Sequence, residues 1–129
     1  MSLLIKKILE KVKNIDKVKA DKMDITTGVE FKTGRIIDGK EEYGKRIDCG
    51  TLPAESQLKY KSTGLSNINF IRLEGIIQSS TLATNIPFEY PGQPTITHYY
   101  SLSNNQIIIK VVDDASKYTA IETVYYTKN

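Results

Sequence analysis

At Val29 the spacing of apolar residues changes from a helical period to an extended one, and this change constrains the fold more than any single motif. Before it, Ile5, Ile8, Val12 and Ile15 recur at intervals of three and four, with Leu4, Leu9 and Val18 beside the same stripe. That spacing predicts one amphipathic helix over residues 2–19. After it, apolar and polar residues alternate, and turn-forming residues recur about every eight to twelve positions, as in antiparallel sheet proteins. The expected fold is mainly β: an antiparallel β-sandwich of about seven strands preceded by one N-terminal amphipathic helix. Residues 1–22 are read as the helical region and 23–129 as one β-sandwich domain, since 129 residues fall near the commonest size of a single domain.

The clearest local signal is Asp38-Gly39, a favoured pair for the two-residue hairpin turn in which both central residues take positive φ. It predicts a strand at 34–37 joined to another at 40–48. Further strands are expected at 58–62, 69–78, 94–102, 106–112 and 118–127, each bounded by Asn, Asp, Gly, Ser or Pro. Between them the stretch 79–93, SSTLATNIPFEYPGQ, holds two prolines and no regular alternation, and it reads as a long irregular loop with Phe88 and Tyr90 exposed.

Several function classes are disfavoured by composition. Eighteen basic residues against fifteen acidic ones leave a net charge of +3, without the concentrated basic stripe and stacking aromatics of a nucleic-acid binder. No apolar run is long enough to span a bilayer, and the amino terminus has no continuous apolar stretch of the secretory kind, so no signal peptide and no membrane span are expected. The single Cys49 has no partner for an intrachain disulfide and reads as a small buried hydrophobe.

The basic helix itself admits more than one use. Lysines 6, 7, 11, 13, 17 and 19 lie mostly away from the apolar stripe, so the segment could act as a peripheral binder of an anionic membrane or of nucleic acid. With Ile5 and Val12 at a positions and Ile8 and Ile15 at d positions, it also forms a short coiled-coil seam, and isoleucine at both positions favours trimers or higher over dimers. Only about two heptads are present.

No enzyme active site assembles from the residues. His98 is the one histidine, and on a strand it shares a face with Ile96, Tyr100 and Leu102, which reads as a half-buried structural imidazole. One histidine and one cysteine cannot furnish a usual zinc site, and no metal or other cofactor is expected. Asp113-Asp114 lacks the spacing of a calcium loop and reads as a solvated turn bonding nearby amides. Carboxylates on different strands, Asp48, Glu74, Glu89 and Glu122 among them, could in principle serve a hydrolase, but no pair stands out. The eight tyrosines suit interfaces and sugar binding. Tyr99-Tyr100 and Tyr125-Tyr126 each place one ring on either face of a strand, and Phe88, Tyr90, Tyr99 and Tyr126 are the candidate ligand or interface residues.

At IIDGKEEYGKRIDCGTLP, residues 36–53, the chain resembles a module of tail-fibre and related appendage proteins of bacteriophages and prophages. The resemblance lies in Asp38-Gly39-Lys40, in Tyr43 with Lys45, and in Gly50-Thr51-Leu52-Pro53. Gly64-Leu65-Ser66-Asn67-Ile68 and the closing stretch from Asp113 to Lys128 extend it over about three-quarters of the chain. It implies a non-catalytic virion appendage module, homotrimeric, assembled with other virion proteins and turned toward a host cell-surface carbohydrate. The family's motifs are turns and strands, so the resemblance transfers no catalytic or binding residue.

Overall fold

A computed structural model describes residues 26–129. The expected helix and its stripe Ile5, Ile8, Val12 and Ile15 lie outside the described residues. Within them the chain is mainly β: β1 (Glu30–Ile37), β2 (Lys40–Thr51), β3 (Gln57–Ser62), β4 (Ile68–Gln78), β5 (Ala83–Ile86), β6 (Thr95–Ser101), β7 (Gln106–Val112) and β8 (Thr119–Lys128). They form two antiparallel sheets, one of five strands in the order β1-β2-β8-β4-β5 and one of three in the order β3-β7-β6.

The antiparallel, mainly β expectation holds, but the described residues form eight strands. The extra one, β5, pairs with β4 from Gly75↔Ile86 to Gln78↔Ala83 and lies inside the stretch expected to be an irregular loop. It is only four residues long and sits at a sheet edge, so it needs no apolar alternation of its own. The turn between β1 and β2 forms as expected, with Asp38 at φ 50° and Gly39 at φ 78° and Ile37 paired with Lys40.

The core lies between the sheets. From the five-stranded sheet come Ile47, Cys49, Ile77, Ala120, Val124 and Tyr126, and from the three-stranded sheet Ile96, Ile107, Ile109 and Val111, all buried. Each isoleucine or valine so removed from water contributes about 1.5–3 kcal/mol relative to the exposed side chain. Ile108 points the other way, yet it is only 5% exposed. Its direct neighbours across the strands are Tyr60 and Tyr99, whose large side chains flank it.

Burial pushes the Cys49 thiol up to about 12, with nearby Glu122 adding to the effect. It therefore stays protonated and packs as the small hydrophobe expected. Tyr126 stacks on Tyr43 at 6.1 Å and donates its hydroxyl to Glu30 Oε1, and burial and that carboxylate hold its ionisation well above the usual tyrosine range. Glu30 in turn is pushed up by burial but held below the ordinary carboxylate range overall by its hydrogen bonds from Lys128 and Tyr126.

Among the described residues two carboxylates are buried. Glu122 on β8 is fully buried and faces His98 of the opposite sheet, whose Nδ1 lies 2.8 Å from both carboxylate oxygens. Gly75 pairs with Glu122 in register, and the carboxylate occupies the space that a Cβ at position 75 would need. Gly75→Ala is accordingly expected to destabilise the fold by about 1–3 kcal/mol, the range for overpacking a filled site. A lowered urea midpoint at unchanged m-value is the readout; an unchanged midpoint would mean the carboxylate moves aside freely. Glu42 on β2 is also fully buried, accepting from Thr33 Oγ1 at 2.8 Å and from Arg72 Nη1 at 3.2 Å.

Candidate functional site

The segment that follows β5 doubles back along β6. Phe88 N donates to Ile96 O at 2.8 Å and Ile96 N to Phe88 O at 2.9 Å, an isolated bridge that fixes Phe88 against the end of the three-stranded sheet. The Ile86–Pro87 peptide is cis. Tyr90-Pro91-Gly92-Gln93 then closes a β-turn, with Gln93 N donating to Tyr90 O at 3.0 Å and Gly92 at φ 76°. Proline second and glycine third is the residue order of a type II turn, because only the third position demands positive φ.

This turn presents Tyr90, which is 67% exposed, while Phe88 is 8% exposed. Their rings stack, with centroids 6.2 Å apart and planes 16° from parallel. Phe88 also packs on Tyr118 at 5.8 Å, and the Tyr118 hydroxyl donates to Gln93 Oε1 at 3.1 Å. The exposed ring is thus backed by an inner ring, and the inner ring by the core. On the facing side the β4–β5 turn is held by Ser79, whose N donates to Leu82 O at 2.8 Å and whose Oγ accepts from Leu82 N at 3.1 Å. Between the two lies an open groove of about 480 Å³, with Leu82, Pro87, Phe88 and Tyr90 among its apolar members and Ser79, Thr84, Glu89 and Lys117 among its polar ones.

Of the candidate residues, Phe88 and Tyr90 are brought together here, in unequal roles. Phe88 belongs to the core, because its backbone bridge to Ile96 turns its ring inward. Tyr99 is 51% exposed, on the outward face of β6 beside Ile108, away from the groove. Tyr126 is fully buried and is not available to a ligand; the outward ring of that pair is Tyr125, which is half-buried beneath Arg72, 3.8 Å above its centroid. The groove residues Gln93 and Lys117 were not singled out in the sequence, since neither carries a motif.

The carboxylates do not converge. Glu122 is enclosed between the sheets with His98, whereas Glu74 lies on the outer face paired with Arg72 at 3.1 Å. Asp48 is spent on the bulge of β2, where its Oδ1 accepts from Gly50 N at 2.9 Å, and Glu89 borders the groove. His98 does share the inward face with Ile96 and Tyr100 as expected, but Leu102 does not: it lies in the turn after β6 and is 67% exposed. Asp114 forms the expected solvated turn, accepting from Ser116 N at 2.9 Å and Ser116 Oγ at 2.6 Å, bonds that hold its carboxyl below the ordinary range. Among the described residues no helix is long and apolar enough to cross a membrane. Comparison of the chain with family models, with curated proteins and with solved structures gave no match.

Proposed function

We propose that the chain is a non-catalytic appendage module of the tail-fibre type that holds a carbohydrate in the groove beside Tyr90. The observation that carries this reading is the construction of Tyr90: a ring two-thirds exposed, fixed by a tight turn and stacked on a buried ring. One face of a pyranose is made of C–H groups, apolar and weakly positive, and it matches the negative face of an aromatic ring. The hydroxyls around that face need donors and acceptors at the margin, which Ser79, Thr84, Glu89 and Lys117 supply. A pre-formed ring loses little entropy on binding, unlike a loop that must order first.

A single shallow groove of this kind binds weakly. The homotrimer implied by the fibre resemblance would present three copies to a repetitive cell surface, where avidity adds roughly a hundredfold or more. The test is binding of the full chain to bacterial cells and to a glycan array, with Tyr90→Ala beside it. At least a tenfold loss of binding with an unaltered melting temperature is expected for the variant. Equal binding by both proteins removes Tyr90 from the site, and no binding by the parent sinks the carbohydrate reading.

A further inference from the structure

The outer face of the three-stranded sheet carries two exposed rings on an apolar base. Tyr60 of β3 and Tyr99 of β6 stand directly across from Ile108 on the central strand β7. Ile108 is covered, whereas Tyr60 is 57% and Tyr99 51% exposed, so both rings project into water. Their strands lie two spacings apart, about 10 Å. In the next row Lys110 stands between Leu58 and Thr97, and on the other side Ser62, Gln106 and Ser101 line up.

Charge is divided between the two sheets. The strands β3, β6 and β7 hold three lysines and no aspartate or glutamate, while the other five strands carry seven basic residues against six acidic ones. Lys59 donates to Thr51 O at 2.6 Å. Lys61 and Lys110 are exposed, and among the described residues neither forms an ion pair. Glu55 and Asp113 lie in connections beyond one end of the sheet. A face with this balance attracts anions. It is unsuited to a second copy packed about a two-fold axis, since an isologous contact brings the same positive face to itself with no carboxylate on either side.

The density of charge selects among anions. Nucleic acid carries a phosphate on every nucleotide and is held by an array of basic groups, but Lys110 is the one cation that the strand register places on this face. The other polar positions are hydroxyls and an amide. Such a mixture suits a sugar chain with sparse acidic groups, whose C–H faces rest on tyrosine rings and whose hydroxyls meet neutral donors and acceptors.

We propose that this face binds an acidic polysaccharide running across the strands, with sugar faces on Tyr60 and Tyr99 and a carboxylate or phosphate against Lys110. The site is separate from the groove beside Tyr90 and does not rest on that reading. The test is binding of the full chain to polygalacturonate, to its uncharged methyl ester, to a phosphodiester-linked sugar polymer and to a single-stranded oligonucleotide. Binding to at least one acidic sugar polymer is expected, weakened by salt and by esterification, and the polymer preferred identifies the anionic group. Tyr60→Ala and Tyr99→Ala should each weaken it roughly fivefold, and Lys110→Gln roughly threefold, at unchanged melting temperature. Tyr90→Ala should leave it unaltered. Lys110→Gln, at an exposed position, decides the matter if a tyrosine variant fails to fold. Equal binding of polygalacturonate and its ester, tighter binding of the oligonucleotide, or no binding of either acidic polymer overturns the proposal. So does a loss with Tyr90→Ala as large as that with Tyr60→Ala, or a parent oligomer that Tyr60→Ala dissociates, which would make the face a contact between copies.

Discussion

His98→Ala is expected to lower the unfolding free energy by about 3–5 kcal/mol, the cost of removing one partner from a buried pair. Glu122 has no exposed surface, and His98 Nδ1 is the group that meets both its oxygens. Without the imidazole the buried carboxylate is left without the group that meets both its oxygens, which destabilises the native state. The double variant His98→Leu with Glu122→Leu should recover much of the loss, since replacing both members of a buried pair by apolar groups of similar size is often neutral or better. Urea unfolding of the parent, of His98→Leu and Glu122→Leu singly, and of the double variant measures the coupling. A single variant within about 1 kcal/mol of the parent would mean that water reaches Glu122 and that the bridge between the sheets contributes little.

Arg72→Ala is expected to cost about 3 kcal/mol by the same reasoning, from the other side of the sheet. The Glu42 side chain is fully buried while that of Arg72 is 34% exposed, so the arginine roofs the carboxylate. It also pairs with Glu74 and stacks on Tyr125, contacts that a lysine could not all replace because they use the planar fork of the guanidinium. Arg72→Lys should therefore restore only part of the loss. Thermal melts of the two variants provide the check: a lysine variant that melts with the parent would show that the stem and its charge, and not the fork, are what matter at this position.

Much of the sheet structure was legible in the sequence because it depends on local pattern. The β-branched and aromatic runs of β7 and β8 and the Asp38-Gly39 pair each specify a strand or turn without reference to distant residues. What escaped was decided at long range. Phe88 turns inward because its backbone bridges Ile96 across a chain reversal, and no spacing announces that. Two adjacent tyrosines in β8 left the phase of the strand open at that point, and a phase error of one residue exchanges the faces, so Tyr126 was taken for an outward ring where Tyr125 occupies that place. One miss carried a readable signal. Glu122 alternates with Ala120, Val124 and Tyr126, and His98 with Ile96 and Tyr100; a carboxylate and an imidazole each set in an otherwise apolar face invite pairing across the core.

The position of β8 has a consequence for how the protein is made. It is the last of the described strands but the middle strand of its sheet, between β2 and β4. While the polypeptide is still emerging from the ribosome, β1-β2 and β4-β5 can form only as separate hairpins, each with one strand edge open where β8 will enter. The β6–β7 hairpin is local and can form early, but it has no partner layer until the five-stranded sheet closes. Closure thus waits for translation to deliver β8, and until then the nascent chain carries unpaired strand edges of the kind that recruit neighbouring chains.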